Sequence, residues 1–265
     1  MSVFISTVPS TNLLVNLLFD PLYYFSNSSP AMASRFRVLV VLSSAAKFTT
    51  TGAPTGWYLP EFAHPYKVLS EIADITVVTP KGGFSQVDPG SVKNTATTDS
   101  LSHSFLRDNE SVWSNTGKIS DYIGRGKEFD VICHPGGHAP LFDLAEDNDL
   151  KTLISEVYEA GKIVAAICHG VIVLKDVKLS NGQYLVADAP VTGFSNEEED
   201  KVGLTDACPV LVETELVKMG GRFEKSDAPF KAHITVAHNG RLITGQNPAS
   251  APGFAEAIKQ SLLKA

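Results

Sequence analysis

The sequence is poor in cysteine. It has three cysteines in 265 residues, Cys133, Cys168 and Cys208, and no two of them form a Cys-x-x-Cys pair. An odd number of well-separated cysteines excludes the usual patterns of disulfide-stapled domains and of structural zinc sites. Free thiols are typical of a reducing compartment, so we expect a cytoplasmic protein, with the nucleus as a second location.

Basic residues are also scarce. Lysine and arginine together number 22, against 29 for aspartate and glutamate, and the net charge is −7. The chain has no basic run, which argues against binding to the phosphates of a nucleic acid. With 43% hydrophobic and 19% charged residues, the composition is that of an ordinary globular protein.

The first 34 residues carry no lysine or arginine. They therefore lack the positive start of a secretory signal and the arginines of a transit peptide. Their apolar stretch, residues 13–19, is too short to span a bilayer, and we expect no membrane partner. We expect residues 1–34 to form a poorly ordered extension. Met32 is an alternative start of translation, so we also expect residues 1–31 to be dispensable. A targeting or membrane-surface segment is the alternative.

Short apolar runs alternate with longer amphipathic stretches over the rest of the chain. Several runs are nearly continuous in Val, Ile and Leu, as expected for strands that helices cover on both faces. The predicted strands are Arg37–Ser43, Ile75–Pro80, Val131–His134, Ile163–Ile167, Val191–Gly193 and Ile234–Ala237. The predicted helices are Pro65–Ala73, Asp149–Ala160, Ala207–Met219 and Gly253–Leu263. The alternation predicts an α/β fold in one domain, residues 35–265, with a doubly wound, mainly parallel sheet.

One pair of strands is predicted to break the parallel pattern. Asn239-Gly240 lies between two apolar runs near the carboxyl end, and Asn-Gly is a strong signal for a hairpin. We therefore expect an antiparallel pair there. The polar, turn-rich stretch 82–130 is predicted to be a long loop region with one or two helices.

Cys168 stands at the end of a predicted buried strand, and a helix-like stretch follows it. Its small neighbours Ala166 and Gly170 permit a sharp strand-to-helix elbow, the device that exposes the serine of α/β-hydrolases. A thiol at a helix N-terminus has a lowered pKa, and the next amide faces a developing oxyanion. We infer that Cys168 is a nucleophile, with a buried structural cysteine as the alternative.

A second strand ends in Pro135-Gly136-Gly137, a segment suited to presenting bare backbone N–H groups. In doubly wound sheets, ligands bind outside the carboxyl ends of the strands, where both this segment and Cys168 lie. The segment is therefore predicted to be a binding loop beside the nucleophile, with a tight turn that binds nothing as the alternative. Cys133, inside the strand, is assigned to the core.

Three motifs in this order resemble the DJ/PfpI superfamily, and more narrowly its heat-shock-chaperone-like branch, which includes the glutathione-independent glyoxalases called glyoxalase III. They are Pro135-Gly136-Gly137-His138, Ala166-Ile167-Cys168-His169-Gly170, and Val191-Thr192-Gly193-Phe194-Ser195 with the acidic run after it. Further matching segments are Thr55-Gly56-Trp57, Glu61 ahead of His64-Pro65, Asp88-Pro89-Gly90-Ser91, and Gly245-Gln246-Asn247-Pro248-Ala249-Ser250. The resemblance covers residues 35–265 and implies a flavodoxin-like fold similar to class I glutamine amidotransferases.

The resemblance implies four catalytic residues. Cys168 matches the family nucleophile and His169 matches the histidine that follows it. Glu199 matches the acidic third member, and Glu61 matches the acid that sits against the nucleophilic cysteine. The neighbours of Glu199 remain open as alternatives to it: Glu197, Glu198 and Asp200.

Backbone amides are the expected oxyanion and substrate-binding groups. These are the amides of Gly136, Gly137 and His169. Two residues depart from the usual pattern of the branch, namely Ala139 and Val171, and we expect them to reshape the mouth of the pocket.

The implied activity is detoxification of a small 2-oxoaldehyde such as methylglyoxal. A hemithioacetal on Cys168 would be converted to a 2-hydroxy acid, D-lactate from methylglyoxal. We expect no metal and no organic cofactor. A metal pair formed by Glu61 and His64, three residues apart, is the alternative. The resemblance also implies a homodimer and a stress response, with unfolded or glycated proteins as further partners.

Other functions remain open. A glutaminase also places cysteine on such an elbow, but it needs a downstream His-x-Glu pair, and His233 and His238 are followed by Ile-Thr and Asn-Gly. A cysteine peptidase and a protein deglycase are further enzyme alternatives. A stress-response holdase chaperone is the alternative from another class, and a redox-sensing protein would use the same reactive thiol.

Overall fold

The computed structural model describes residues 35–264, and the predicted extension at residues 1–34 lies outside the described residues. The strands are β1 (Phe36–Val41), β2 (Ala73–Thr79), β3 (Gly117–Lys118), β4 (Val131–His134), β5 (Ile163–Ile167), β6 (Pro190–Val191), β7 (Arg222–Phe223), β8 (Ile234–Ala237) and β9 (Leu242–Gly245). The α-helices are α1 (Leu59–Leu69), α2 (Pro89–Thr95), α3 (Ser100–Asp108), α4 (Ser111–Ser114), α5 (Pro140–Asp143), α6 (Asn148–Glu159), α7 (Asn196–Val202), α8 (Val212–Lys218) and α9 (Ala251–Leu262). Short 3₁₀ helices cover Ile119–Tyr122, Gly126–Glu128, Cys168–Leu174, Thr205–Ala207, His238–Gly240 and Pro248–Ser250.

Seven strands form one sheet in the order β3-β2-β1-β4-β5-β9-β8. All neighbours are parallel except β8 and β9, which are antiparallel. The mainly parallel, doubly wound sheet is thus confirmed. The strand predicted at Val191–Gly193 is shorter, and it pairs with β7 in a separate two-stranded sheet.

Helices cover both faces of the main sheet, as predicted. On one face α6 contributes Leu150, Leu153 and Ile154 to a buried cluster, and on the other α1 and α9 contribute Phe62 and Phe254. Alternate residues of β5 face opposite clusters, because successive side chains of a strand point to opposite faces. This two-sided burial is the reason that β5 reads as a continuous apolar run.

The helix predicted at Pro65–Ala73 begins six residues earlier, at Leu59. Pro60, not Pro65, is the proline of its first turn, where a missing N–H leaves no hydrogen bond unmade. Pro65 lies inside the helix. The earlier start places Glu61 in the first turn, close to the carboxyl ends of the strands.

Two other regions differ in detail from the prediction. The helix predicted at Ala207–Met219 is confined to α8, and a 3₁₀ turn at Thr205–Ala207 precedes it. Pro209 lies between the two and favours an extended backbone in the residue before it. The stretch 82–130 carries three short α-helices, α2 to α4, more than the one or two predicted.

The predicted hairpin is confirmed. Its turn contains Asn239 with φ 57° and Gly240 with φ 89°, both in the left-handed region that Asn and Gly tolerate best. The register pairs Ala237 with Leu242, so β8 forms one edge of the sheet. Over residues 35–264, no helix has the length and apolar character that crossing a bilayer requires.

Candidate active site

Cys168 occupies a sharp turn at the carboxyl end of β5. Its φ of 59° is a left-handed conformation that is costly for a residue with a side chain. Strained positions of this kind present the nucleophile in hydrolase elbows, and the predicted elbow is therefore present. The element that follows is a 3₁₀ helix, Cys168–Leu174, and not the α-helix that the pattern favoured.

The glycine loop after β4 packs directly beside this elbow, because β4 and β5 are parallel neighbours. Gly137 has a φ of 87°, and a Cβ on it would collide with the backbone of Gly56. Gly137 lines the cavity described below, whereas Gly136 does not. A residue without a side chain is required here because the backbone of residues 56–58 packs directly against it.

The side chains of Cys168, His169 and Glu199 form a hydrogen-bonded relay. Sγ of Cys168 lies 3.3 Å from Nδ1 of His169, and Nε2 of His169 lies 2.6 Å from Oε2 of Glu199. His169 and Cys168 are each 2% exposed. The structure thus brings together three of the four residues expected to be catalytic.

The carboxylate of Glu199 fixes the tautomer of His169. Burial alone would raise the pKa of Glu199, but hydrogen bonds from His138 and His169 offset this and hold the pKa well below its usual range. An ionised carboxylate only accepts hydrogen bonds, so Nε2 of His169 carries the hydrogen. Burial, helped by the nearby His138, lowers the pKa of His169 to about 4, so the ring is neutral and Nδ1 is free to accept a proton.

Glu61 completes the predicted set of four catalytic residues. Its carboxyl group is fully buried, and the amide of Gly136 donates to Oε2 at 2.8 Å. Among residues 35–264, Oε1 has no nitrogen or oxygen partner. The carboxyl group interacts with the thiol of Cys168.

Burial governs the ionisation of this pair. It raises the pKa of Glu61 to about 8, against the lowering effect of contacts with Cys168 and Gly136. Burial and the Glu61 carboxyl also raise the pKa of the Cys168 thiol well above its usual range. The prediction of a lowered thiol pKa is therefore wrong for the resting site, because two acids that share a buried space resist a second negative charge.

Two backbone amides lie close enough to the thiol to affect its ionisation. Those of His169 and Gly137 favour the ionised form of Cys168, against the larger opposing effects of burial and of Glu61. The amide of Gly136 donates to Glu61 instead. The three amides predicted as an oxyanion site thus divide into two beside the thiol and one that positions the acid.

Cys168 and His169 open into a cavity of about 530 Å³. Its walls are mainly apolar and aromatic, and its polar members include Tyr58, Asp88 and Asn94. The lining consists of Phe48, Ala53, Pro54, Tyr58, Asp88, Gly90, Asn94, Gly137, His138, Cys168, His169, Phe194, Val202, Leu204, Phe230 and Pro248. Ala139 and Val171 are fully buried and do not line this cavity, so they do not reshape its mouth directly.

Stacked rings hold the histidines in place. The centroids of His138 and His169 are 3.9 Å apart, and those of His169 and Phe194 are 4.4 Å apart. Phe48 and Phe230 extend the series at either end, at 5.2 Å from His138 and 6.4 Å from Phe194. Contacts of this kind restrict ring rotation and keep Nδ1 of His169 directed at the thiol.

Among the four acidic residues at positions 197–200, Glu199 is the one that bonds His169. Glu198 is fully buried, but it closes a capping box with Ser195 and accepts from Asn247 at 2.8 Å. Glu197 is half-exposed and lies 3.7 Å from Lys225. Asp200 is exposed and bonds Thr205.

Glu61 and His64 do not form a metal pair. Nε2 of His64 lies 2.9 Å from Oδ2 of Asp99, whereas the carboxyl group of Glu61 is directed to Gly136 and Cys168. Cys133 is fully buried in β4, and burial raises its pKa to about 12, as expected for a core cysteine.

Sequence reasoning overlooked two residues of the site. Nε2 of His138 lies 2.9 Å from Oε1 of Glu199, so Glu199 bridges two histidines. Cys208 lies close enough to Glu199 to interact with it, and burial raises its pKa to about 12. His138 stood within a matched motif, whereas no sequence signal marks Cys208.

Known proteins resemble this chain in sequence and in fold. Residues 59–261 match the model of the DJ-1/PfpI family. The chain is 32% identical over 247 residues to the glutathione-independent glyoxalase hsp3101 of Schizosaccharomyces pombe, covering 88% of this chain and 100% of that protein. The crystal structure of glyoxalase III from Candida albicans superposes with a TM-score of 0.77 at 26% identity, covering 85% of this chain and 97% of that one.

A bacterial structure is also similar to this chain. The Rapid Encystment Protein of 24 kDa from Francisella tularensis has a TM-score of 0.79 at 35% identity, covering 86% of this chain and 99% of that one. The family model, the relatives and the solved structures agree on one assignment. The chain belongs to the DJ-1/PfpI family and has its flavodoxin-like fold.

Proposed function

We propose that the protein is a glutathione-independent glyoxalase that converts 2-oxoaldehydes to 2-hydroxy acids, with methylglyoxal giving D-lactate. The observation that carries the proposal is the placement of two proton-transfer groups around one thiol. Nδ1 of His169 faces the thiol of Cys168, and the carboxyl group of Glu61 also interacts with that thiol. The yeast relatives named as glutathione-independent glyoxalases support the same reading.

The reaction begins with addition of the thiol to the aldehyde carbon. Nδ1 of His169 takes the proton of Cys168 as the carbon–sulfur bond forms. Glu61, protonated below its pKa of about 8, gives its proton to the aldehyde oxygen. The product is a neutral hemithioacetal, and Glu61 is left as a carboxylate beside the carbon that bears the hydrogen.

The second stage moves a hydrogen between the two carbons. The Glu61 carboxylate removes the proton from the former aldehyde carbon, while His169 protonates the ketone oxygen to give an enediol. Glu61 then returns its proton to the neighbouring carbon, and the first hydroxyl loses its proton to His169 as the thioester carbonyl forms. One carbon is oxidised and the other reduced, so no external oxidant is needed. A pKa near neutrality suits a group that both accepts and releases a proton.

Water completes the turnover. Hydrolysis of the thioester releases the 2-hydroxy acid. Water supplies the hydroxyl of the acid and the proton that restores the thiol, and the proton held by His169 returns to Glu61. The overall reaction therefore adds one water to the 2-oxoaldehyde. The amides of Gly137 and His169, which favour the ionised form of the adjacent thiol, are the proposed donors to the oxyanion of this step. The proposed reaction is that of a lyase of the D-lactate dehydratase type, which requires no metal or organic cofactor.

The test is production of D-lactate from methylglyoxal without added glutathione. Wild type and Cys168→Ala are compared, and the lactate is assayed with a D-specific dehydrogenase. We expect lactate from wild type and none above background from the variant. Absence of lactate from folded wild-type protein would overturn the proposal.

We further propose that the protein acts in the cytoplasm as a homodimer in the response to carbonyl stress. All three cysteines are free, which fits a reducing compartment. Light scattering and fractionation test these two points. The holdase, deglycase and redox-sensing alternatives stay predictions, and the raised pKa of Cys168 counts against a thiol that oxidises readily.

A further inference from the structure

Cys208 stands beside the bridge between His138 and Glu199. It follows the 3₁₀ turn Thr205–Ala207, and its amide donates to the carbonyl of Leu204 at 3.2 Å. The hydroxyl of Thr50 donates to the carbonyl of Ala207 at 2.6 Å, which ties the preceding residue to another loop. These two contacts fix the backbone at Cys208 and at the residue before it.

Three potential metal ligands converge here. Sγ of Cys208, a ring nitrogen of His138 and a carboxylate oxygen of Glu199 all lie within 4.8 Å of one another. Thiolate, imidazole and carboxylate are the three ligand types that zinc prefers. The catalytic Cys168 is not part of this group.

The spacing fits a tetrahedral ion after a small adjustment. Bond lengths typical of zinc place tetrahedral ligand atoms about 3.4–3.6 Å apart. Nε2 of His138 and Oε1 of Glu199 are 2.9 Å apart, so their hydrogen bond has to open by about half an ångström. Cys208 is only partly buried and His138 lines the cavity, so an ion has a route of entry.

An ion at this position would compete with the catalytic relay. Glu199 uses Oε1 for His138 and Oε2 for His169. A dication on Oε1 displaces the hydrogen bond from His138 and draws charge from Oε2, which weakens the acceptor that fixes the tautomer of His169. Binding and catalysis therefore make opposing demands on one carboxylate.

We propose that His138, Glu199 and Cys208 form a zinc site beside the active site, and that zinc bound there inhibits the enzyme by withdrawing Glu199 from His169. The ion is an inhibitor and takes no part in the reaction. The inhibition rests on the proposed function, whereas the binding does not.

Binding is tested with Co²⁺ as a coloured substitute for zinc. The full-length protein is stripped with a chelator, kept reduced and titrated with Co²⁺ while thiolate-to-cobalt charge-transfer absorption is recorded. We expect one equivalent with a thiolate band in wild type and in Cys168→Ala. In Cys208→Ser the band should be lost and the affinity should fall by at least about tenfold.

Two results would overturn the site. One is a thiolate band that persists in Cys208→Ser, and the other is a band that disappears in Cys168→Ala. His138→Asn serves as a second variant, because it keeps the thiol and should still weaken Co²⁺ binding. Circular dichroism shows whether each variant is folded.

Inhibition is tested with methylglyoxal, and each rate is divided by the rate of the same variant in excess chelator. Zinc should inhibit wild type reversibly, and Cys208→Ser should need at least about tenfold more zinc. Equal zinc sensitivity of the two proteins would overturn the inhibitory role. Inactivity of metal-free wild type would instead overturn the proposed function, and the Co²⁺ titration would still decide the site.

Discussion

Nδ1 of His169 faces Sγ of Cys168 at 3.3 Å, and it is the ring nitrogen without a hydrogen. The reason lies on the far side of the ring, where Nε2 donates to the ionised carboxylate of Glu199 at 2.6 Å. The carboxylate therefore acts on the thiol through the imidazole. It selects the tautomer in which the ring accepts the thiol proton.

The first prediction concerns this selection. Glu199→Gln replaces an acceptor by a group that can also donate, so the wrong tautomer of His169 becomes accessible. We expect kcat for methylglyoxal to fall by about 10³- to 10⁴-fold with little change in secondary structure. The matched control is Glu197→Gln, which changes a half-exposed neighbour and should retain wild-type kcat. Equal effects of the two substitutions would contradict the role of Glu199.

The second prediction concerns Cys168 and Glu61, the nucleophile and the proton-transfer group of the proposed mechanism. Cys168→Ser and Glu61→Gln should each reduce turnover by more than about 10³-fold while the fold stays intact. A serine hydroxyl ionises far less readily, and a glutamine amide neither accepts nor releases the migrating proton. Glu71→Gln, an exposed acid two residues beyond α1, is the control for loss of charge. Wild-type activity in purified Cys168→Ser or Glu61→Gln would refute the mechanism.

The third prediction follows from the raised pKa of Glu61. In the unfolded chain this group releases its proton near pH 4.5, and in the native protein near pH 8. Between these values the native state binds more protons, so this group's contribution to stability is full below pH 4.5 and is lost as pH rises to 8. His169 and His134 act in the opposite direction at lower pH, because burial lowers their pKa values to about 4 and about 3.

Glu61→Gln isolates that contribution, since both histidines are present in both proteins. The free energy of unfolding of the variant, measured by urea denaturation, should rise relative to wild type as pH increases from about 5 to about 8. The slope is at most about 1.4 kcal/mol per pH unit for one proton. A difference that does not depend on pH would mean that Glu61 is ionised in the native protein throughout.

The fourth prediction concerns the size of the substrate. The cavity of about 530 Å³ is far larger than methylglyoxal needs, and Phe230 stands at its wall with 45% of its surface exposed. An aromatic 2-oxoaldehyde such as phenylglyoxal should contact this ring. Phe230→Ala should lower kcat/KM for phenylglyoxal by about 2- to 10-fold more than for methylglyoxal, the range expected for loss of one aromatic pair.

The control for that comparison is Phe84→Ala, because Phe84 is 57% exposed and lies outside the cavity lining. It should leave the ratio of the two kcat/KM values unchanged. If Phe230→Ala also leaves the ratio unchanged, the ring of the bound substrate lies elsewhere.

Features encoded by neighbouring residues were predictable from sequence. The bounds of β4 and β5 are those predicted, because a continuous apolar run records burial on both faces. The elbow at Cys168 was readable from the small residues around it. Helix α1 was misplaced because two prolines, Pro60 and Pro65, offered competing starts and only the tertiary contacts chose between them.

Features that depend on distant contacts were not predictable in the same way. The bond between His138 and Glu199 joins residues 61 positions apart. The direction of the shift in the pKa of Cys168 was predicted wrongly. The local sequence indicates a helix end, but it shows neither how deeply the thiol is buried nor that the Glu61 carboxyl lies beside it. Charge at a buried site is set by the whole environment.

The crowding around Gly136 limits how this enzyme can change over evolution or in the laboratory. A Cβ there would lie 2.7 Å from both Oε2 of Glu61 and the carbonyl oxygen of Ile167. Any substitution at this position would displace the acid from its amide partner before it altered the pocket. A saturation library at Gly136 would therefore contain almost no active members, whereas one at Phe230 would remain rich in them. Substitutions that change the substrate range should therefore occur at the outer wall of the cavity, whereas the residues packed around Gly136 should stay the same.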